Sequence, residues 1–340
     1  MNPGFTIGDV TIAGRVLTAP MTGVSDLPFR RAASKLGAAY VATEMVACEM
    51  FAAGRPDVVR RAAVGEGLPL MVVQLVGREA QWLAKGAAMA EAAGAEIIDI
   101  NMGCPAKEVT GGLSGSALMR DLDHAESLIA ATVAATRRPV TLKMRLGWDD
   151  AQRNAPELAA RAERAGVQAI TVHGRTRQQF YGGHADWRAV AAIKAAVAVP
   201  VIVNGDVIDG PTAREALCQS GADAVMIGRG AYGRPWIAAA IDGALAADET
   251  SAASESPEPA PAERLAIVLD HFSDSLRFYG DLHGLKIFRK HLGWYVERAP
   301  WPASAEARRA AKSLLCRLAT PREVEAELTE LWLGTRARAA

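Results

Sequence analysis

Residues 97–103 read IIDINMG, a run of mostly apolar side chains that ends at a glycine just before Cys104. The run is nearly continuously hydrophobic, as a strand is when both faces of its sheet are covered. Alanine-rich amphipathic segments flank it, REAQWLAKGAAMAEAAG at 78–94 and DLDHAESLIAATVAATRR at 121–138. A buried strand between two helical segments predicts a parallel sheet in an α/β protein.

Seven further runs of this kind occur in the first part of the chain, with helical segments between them. We predict these additional strands at residues 16–20, 40–45, 70–75, 140–145, 169–174, 201–206 and 224–230. Eight strands alternating with helices over roughly 230 residues match the size of a closed (β/α)8 barrel, the TIM barrel. A doubly wound open sheet is the alternative, and the count of eight favours the barrel.

The composition is that of a soluble α/β protein: half of the 340 residues are hydrophobic and the formal net charge is zero. We find no apolar run near the ~20 residues of a membrane span and no secretory signal. The four scattered cysteines suit neither a disulfide framework nor a zinc site. We therefore expect a cytoplasmic monomer without a metal, in which any nucleic acid is held by local basic patches.

Beyond the eighth strand the sequence changes character. Residues 246–262 are rich in Ala, Ser, Glu and Pro, which is typical of a linker, and residues 263–335 carry a helical pattern. We therefore divide the chain into a catalytic barrel domain (1–245), this linker and a small helical domain. Two basic clusters lie at helical spacing in the last domain, namely Lys286, Arg289 and Lys290, and Arg308, Arg309 and Lys312.

The predicted carboxyl ends of the strands carry an unusual set of side chains, and in TIM barrels this is where the chemistry takes place. Any one of them could be a capping residue or a satisfied polar group, but a purely structural barrel needs none of them there. The set comprises Pro20, Met21, Glu44, Gln74, Asn101, Cys104, Lys143, Arg145, His173, Arg175, Asn204, Asp206, Gly228 and Arg229.

Two glycine-containing loops follow the last two strands, NGDV at 204–207 and GRGAYGRPW at 228–236. Glycines allow a backbone to approach a bound group closely, and successive N–H groups at the start of a helix can bind an anion. TIM barrels often bind phosphate at this point. Ordinary turn glycines are the alternative, and the presence of both loops favours a phosphate site.

Lys143 emerges from a predicted buried strand, where an ammonium group is costly unless it is paired. It could form a Schiff base, as in an aldolase, or face an electron-rich cofactor. Gln74 and Asn101 favour the cofactor, because amides can both donate to and accept from a heteroaromatic ring edge. His173, beside Arg175 and opposite the phosphate loops, is predicted to face the same ligand.

Cys104 leaves the barrel mouth on the glycine-rich loop GCPAKEVTGGLSGS (103–116). A thiol there could act as a nucleophile, but the nearby sequence offers no histidine or aspartate partner. It could equally act as a general acid that donates a proton to carbon.

A series of motifs in chain order closely resembles the flavin-dependent tRNA-dihydrouridine synthases. The helical stretch LKIFRKHLGWY (285–295) looks like the B-type bacterial subgroup of that family. The barrel motifs are APMTGVSD (19–26), TEM (43–45), VQL (73–75), NMGCPAK (101–107), LKMRLGW (142–148), HGRTR (173–177), NGDV and GRGAYGRPW.

The resemblance implies an FMN-containing barrel, a tRNA-binding helical domain and NADPH (or NADH) as the reductant. It implies that the backbone of Ala19, Pro20 and Met21, with Gln74 and Lys143, holds the isoalloxazine. The phosphate side would be held by His173, Asn204, Gly205, Asp206, Gly228 and Arg229.

The same resemblance implies a reaction at a uracil that is flipped out of its stack into the barrel. Hydride would pass from the flavin to C6, and Cys104 would protonate C5. We expect Asn101, Arg145 and Tyr181 to contact this uracil. Further substrate contacts are predicted at Arg175, Arg177, Lys286, Arg289 and Lys290.

Three other functions compete with this reading. A flavin barrel that reduces free pyrimidines would share the phosphate loops, but it would not need the basic helical domain or the HGRTR stretch. A tRNA-binding protein with a vestigial barrel would need neither Cys104 nor Lys143. A lysine aldolase would form a Schiff base at Lys143 and would not be yellow.

Overall fold

The computed structural model describes residues 4–63, 65, 68–247, 258–301 and 304–333. Two short antiparallel strands come first, β1 (Phe5–Ile7) and β2 (Val10–Ile12). Eight parallel strands follow in one sheet. They are β3 (Val16–Thr18), β4 (Val46–Ala47), β5 (Val72–Val76), β6 (Ile97–Met102), β7 (Val140–Arg145), β8 (Ala169–His173), β9 (Val201–Asn204) and β10 (Ala224–Ile227).

The sheet closes into a barrel. Each strand from β4 to β10 pairs with the next, and β10 pairs with β3. A parallel bridge between Thr18 and Val41, and another between Ala42 and Val72, join β3 to the far edge of the sheet. The predicted (β/α)8 barrel is thus confirmed, and the open sheet is excluded.

The second barrel strand differs from its prediction at 40–45. Only bridges form at Val41 and Ala42, and the assigned strand β4 begins later. Between them, the Thr43 hydroxyl donates to the Glu44 carbonyl at 2.7 Å and accepts from the Gln74 N–H at 3.0 Å. A side chain therefore replaces part of the backbone ladder, which interrupts the strand.

Helices alternate with the strands of the barrel along the chain, and the described residues include four more after the barrel. Those of the barrel are α1 (Leu27–Lys35), α2 (Cys48–Ala52), α3 (Pro56–Arg61), α4 (Ala80–Ala92), α5 (Lys107–Thr110), α6 (Leu122–Ala134), α7 (Ala155–Arg164), α8 (Trp187–Ala196), α9 (Gly210–Ser220) and α10 (Ile237–Ala246). The later ones are α11 (Pro261–Tyr279), α12 (Asp281–Arg298), α13 (Ala305–Arg317) and α14 (Pro321–Leu333). No helix of the described ranges is long and apolar enough to cross a membrane.

Local sequence explains where these helices begin. At α9 the Asp209 carboxylate accepts from the Thr212 N–H at 2.9 Å, and the Thr212 hydroxyl accepts from the Asp209 N–H at 3.1 Å. This reciprocal cap satisfies donors that a helix start leaves unpaired. Asp26 caps α1 in a similar way by accepting from the Phe29 N–H at 3.1 Å. The loop before α1 is therefore held at both ends, by β3 and by this cap.

The β1–β2 hairpin covers the amino end of the barrel, and the sequence pattern did not predict it. Its buried side chains, Ile7 and Ile12, belong to the same apolar cluster as the inward-facing residues of the strands. Those residues include Leu17, Val72, Ile97, Ala169, Ile202 and Met226. The barrel interior is a packed core at this end, and its polar side chains lie nearer the opposite end.

Helices α11 and α12 dock on the barrel. The ring of Trp294 stacks on that of Tyr232 with centroids 4.0 Å apart, and the Tyr279 hydroxyl donates to Asp26 at 3.1 Å. Of the predicted linker, residues 248–257 lie outside the described residues, while α10 and α11 extend into its two ends. Residues 334–335 also lie outside the described part, so the three-part division of the chain stays a prediction.

Candidate active site

A cavity of about 800 Å³ opens at the carboxyl end of the barrel, which is a volume typical of small-molecule sites. Most of the predicted site residues line it. These are Ala19, Pro20, Met21, Asn101, Cys104, Lys143, Arg145, His173, Tyr181, Asn204, Gly205, Asp206, Gly228 and Arg229. The fold therefore brings together side chains from six strand ends that are far apart in the sequence.

Lys143 projects into the cavity from β7. Its ammonium donates to the Asn204 side-chain oxygen at 3.1 Å, and the Asn204 amide donates in turn to the Met226 carbonyl at 2.8 Å. Burial and the neighbouring Arg145 lower the pKa of Lys143 to about 8, against the opposing charge of Asp99. Near neutral pH the group is mostly a cation, and it has further N–H groups to offer a ligand.

His173, at the end of β8, is neutral and has a defined tautomer. Burial, together with the charges of Arg145 and Lys143, holds its pKa well below the usual range. One Arg175 guanidinium nitrogen lies 3.2 Å from His173 Nε2. Because a guanidinium can only donate, Nε2 accepts this bond and the ring proton resides on Nδ1.

Asp206 and Arg175 hold loops in place beside the cavity. The Asp206 carboxylate accepts from Arg175 at 2.6 Å and from the Ala185 N–H at 2.8 Å. Burial acts to raise the pKa of Asp206, but these bonds outweigh it and hold the pKa below the usual range. Arg175 is itself almost fully buried and also donates to the carbonyls of Gly182 and Gly183.

Two glycines explain how the loops that follow β9 and β10 fit together. Gly205 has a φ of 112°, and a Cβ there would lie 2.8 Å from Ala185 and 3.1 Å from the His173 ring. Gly230 packs its backbone against the preceding loop, because a Cβ there would lie 2.9 Å from the Val207 carbonyl oxygen. Both positions exclude a larger residue without displacing the site.

Cys104 is held through its backbone. Its N–H donates to the Asn101 side-chain oxygen at 2.9 Å, and its carbonyl accepts from the Ser116 hydroxyl at 2.8 Å. Burial raises the pKa of the thiol above its ordinary value of 9.0, against the charges of Arg145 and Lys143. The side chain therefore presents a protonated thiol to the cavity at neutral pH.

Arg145 supports the walls on both sides of the cavity. It donates from Nε to the Gly103 carbonyl, and from Nη1 to the Thr176 and Phe180 carbonyls, each at 2.8 Å. The next residue, Tyr181, is exposed at the mouth. Its ring lies 5.6 Å from the Arg145 guanidinium carbon and 5.1 Å from that of Arg229, within the range of cation–π attraction.

Six predicted residues are not part of the cavity lining, and two of them, Gln74 and Arg175, are buried. Gln74 is fully buried: its NH₂ group donates to Asp99, and its side-chain oxygen accepts from Asn101. The Arg177 guanidinium lies against the Trp148 ring at 4.8 Å. Outside the lining are Arg177, Lys286, Arg289 and Lys290, in addition to the buried Arg175.

The two basic clusters of the helical domain are not continuous surfaces. Lys286 is exposed, whereas the Lys290 ammonium lies against the loop of Gly23, where burial lowers its pKa against the charges of Asp26 and Glu44. In the second cluster, Arg308 donates to carbonyls at the end of α12 and beyond it, which gives it a structural role. Helical spacing alone did not reveal these differences.

The model of the dihydrouridine synthase (Dus) family matches residues 17–330, a span that includes the whole cavity and helices α11 and α12.

The chain belongs to the dihydrouridine synthase family.

Curated relatives agree with this assignment. A probable tRNA-dihydrouridine synthase of Rhodobacter capsulatus is 55% identical over 297 residues, covering 87% of this chain and 90% of the relative. The tRNA-dihydrouridine synthase B of Pseudomonas putida is 43% identical over 303 residues, covering 89% of this chain and 88% of the relative. The resemblance found in the motifs is confirmed.

Solved structures share the fold of this dihydrouridine synthase family member. Morphinone reductase matches with a TM-score of 0.53 at 16% identity, over 78% of this chain and 93% of the reductase. Histamine dehydrogenase from Rhizobium sp. 4-9 matches with a TM-score of 0.54 at 13% identity, over 70% of this chain and 47% of that protein. At such identities these likenesses show the barrel fold alone.

Sequence reasoning missed Asp99, the buried carboxylate beneath the cavity of this dihydrouridine synthase relative. It also missed Arg61 and Arg298, which line the cavity from α3 and from the end of α12. A signal for Asp99 was present, since one acidic residue interrupts the apolar run 97–103 at the alternating position shared with Asn101. The two arginines gave no such signal, because Arg298 reaches the cavity only through the docking of α12, and Arg61 lies at the end of a short helix rather than at a strand end.

Proposed function

We propose that this protein is a flavin-dependent tRNA-dihydrouridine synthase, which reduces specific uridines of tRNA to 5,6-dihydrouridine with NADPH (or NADH). Membership of the family supports the reaction, and the names of the curated relatives support tRNA as the substrate. The observation that carries the proposal is one cavity that holds a protonated thiol, a half-buried lysine and a neutral histidine. Since tRNA is the proposed substrate, the proposed compartment is the cytoplasm.

The residues of the cavity fit flavin mononucleotide as the cofactor. Lys143 presents its ammonium group to the cavity, and this group can donate hydrogen bonds to the acceptor atoms along the edge of a flavin ring. At Gly228 a Cβ would meet no atom within 4 Å, so the backbone there faces open space. The proposed phosphate side consists of His173 Nδ1–H, the Gly205 and Gly228 loops and Arg229, with Asn204 and Asp206 holding Lys143 and Arg175 in place.

When bound, FMN supplies a hydride to C6 of the uracil after its reduction by the nicotinamide. The chain supplies the proton for C5 from the Cys104 thiol, whose raised pKa keeps it protonated between turnovers. Ala19, Pro20 and Met21 line the same cavity as Cys104 and are proposed to hold the flavin ring through their backbone. Gln74 is proposed to act through Asn101 rather than by direct contact.

The target uracil has to leave its stack to reach the thiol, because stacked neighbours cover both faces of its C5–C6 bond. Asn101 and Tyr181 line the cavity and are proposed to contact the flipped base, while Arg145 holds the loops around the cavity. Phosphates of the tRNA are proposed to meet Arg61 and Arg298, which line the cavity. Lys286 and Arg289 are proposed to make further tRNA contacts on α12.

The proposal is tested by an anaerobic half-reaction. The purified holoenzyme is reduced with NADPH, and flavin reoxidation is followed on adding unmodified tRNA transcript, free uridine or orotate. Fast reoxidation by tRNA alone supports the synthase. Reoxidation by a free pyrimidine would reassign the protein to the metabolic pyrimidine reductases, and a colourless protein would remove the flavin from the account.

A further inference from the structure

A buried carboxylate lies beneath the cavity at the middle of β6. Asp99 is only 3% exposed, and it accepts from the Thr141 hydroxyl at Oδ1 and from the Gln74 amide at Oδ2, each at 2.6 Å. Burial raises its pKa to about 6, against these two bonds and the charge of Lys143. Above that pH it is ionised and can only accept hydrogen bonds.

An acceptor of this kind determines how the neighbouring amides are oriented. Because Gln74 points its NH₂ group at Asp99, its oxygen faces the other way, where it accepts from the Asn101 NH₂ at 2.8 Å. The Asn101 oxygen then accepts from the N–H groups of Cys104 and Gly103, at 2.9 Å and 3.2 Å. Reversing either amide would set two donors against each other.

We propose that Asp99 is a positioning residue, which orients the amides of Gln74 and Asn101 and thereby fixes the backbone from which the Cys104 thiol projects. The inference rests on the proposed acid role of Cys104. The series Asp99, Gln74, Asn101, Cys104 is called the amide relay below.

The relay has a distinct task among the contacts of this loop. Arg145 and Ser116 bind carbonyl oxygens, those of Gly103 and Cys104. The relay binds the N–H groups of the same two residues. With both the donors and the acceptors of this short segment bonded, its peptide planes have a single orientation relative to the cavity.

The first test removes the acceptor at the start of the relay. Asp99→Leu keeps a similar shape but releases Gln74, and we expect the Gly103 and Cys104 amides to exchange with deuterium about tenfold faster or more. Reoxidation by tRNA should fall by about 10- to 100-fold in kcat, with the tRNA KM and flavin reduction by NADPH changed by less than about threefold. Exchange is read by mass spectrometry on the peptide spanning 100–107.

Thr141→Val is the matched control. It removes the other donor to the same carboxylate while leaving Gln74 with its acceptor. We expect a stability loss, but exchange at Gly103 and Cys104 and the tRNA half-reaction should stay within about threefold of the parent. Equal effects of the Asp99 and Thr141 changes on the loop would overturn the proposal, as would unchanged exchange in Asp99→Leu.

A charge relocation tests the orientation itself. In the double variant Asp99→Asn, Gln74→Glu the carboxylate moves one step along the relay, where it accepts from residue 99 and from Asn101 together. The Asn101 oxygen again faces Cys104, so amide protection should return to within about threefold of the parent. Fast exchange in the double variant would contradict the relay.

The outcomes separate this inference from the proposed function. If the parent enzyme does not transfer electrons to tRNA, the proposed function fails, while the exchange comparison still decides the relay. If Asp99→Leu does not fold, Gln74→Leu breaks the relay one step later and is read by the same exchange measurement, with fast exchange expected and unchanged exchange refuting it.

Discussion

Replacing Cys104 by alanine separates the two half-reactions that the cavity is proposed to catalyse. In the variant the Cys104 N–H and carbonyl keep their hydrogen bonds, and only the bond between the thiol and the Ala106 backbone is lost, so the variant should keep its fold and its flavin. At pH 7 a thiol with a pKa above 9.0 is ionised in at most about one molecule in a hundred. The thiol proton is therefore available in nearly every molecule of the parent enzyme and in no molecule of the Cys104→Ala variant.

The expected loss follows from the usual value of a positioned acid. General acid catalysis contributes about 10²- to 10⁴-fold, which corresponds to about 3–5 kcal/mol of barrier. Stopped-flow reoxidation by tRNA should slow by this factor in Cys104→Ala, while flavin reduction by NADPH should change by less than about threefold. Cys104→Ser, whose hydroxyl is a much weaker acid, should be almost as slow.

The pH profile provides an independent check. With FMN kept saturating at every pH, reoxidation in the parent should be constant from pH 6 to 8 and should fall above pH 9 as the thiol loses its proton. This fall should be absent in Cys104→Ala. Reoxidation of the alanine variant at the parental rate would refute the acid role. Loss of flavin from the variant would show that the thiol is structural.

Other changes test the cofactor site and the docking of the helices. Because the pKa of Lys143 is lowered to about 8, the affinity of the apoprotein for FMN should fall above pH 8. The Lys143→Met variant should bind FMN weakly at every pH. A parental affinity that stays constant from pH 7 to pH 10 would contradict this prediction. Gly205→Ala forces a Cβ against the His173 ring and should weaken FMN binding by about tenfold or more, as measured by flavin fluorescence. An unchanged affinity would refute the proposal that this ring binds FMN. Burial raises the pKa of Asp26 from 3.8 to about 6, so folding takes up a proton and the ionised form costs up to about 3 kcal/mol at pH 8. Asp26→Asn, which keeps a helix cap, should therefore be more stable than the parent to urea at pH 8, and this gain should disappear below pH 4. An equal gain at both pH values would refute the raised pKa of Asp26.

The barrel could be predicted because each buried parallel strand appears in the sequence as a separate apolar run. Seven of the eight strands fall where their apolar runs lie, and the second is interrupted because Thr43 bonds in place of the backbone. The β1–β2 hairpin was not predicted, because strands of three residues have too few side chains to show an alternation of apolar and polar residues.

The candidate site was predictable at its strand ends and less so where the chain folds back. A residue after a strand points to the mouth, which placed Cys104, Lys143 and His173 correctly in one cavity. Spacing on a helix identifies a shared face but not what covers it, so Lys290 was grouped with Lys286 although it faces the barrel. Likewise, the buried role of Arg175 depends on loop carbonyls that arrive from residues 182 and 183.

The hairpin that covers the amino end of the barrel has a kinetic consequence. With Ile7 and Ile12 packed into the interior, the described cavity is reached from the carboxyl end, where Cys104 and the nicotinamide-accessible face would share one entrance. The proposed nicotinamide and the flipped nucleotide would both have to use that entrance, so we expect each to compete with the other. Initial rates should then follow a ping-pong pattern, in which an excess of tRNA slows the enzyme by excluding its own reductant.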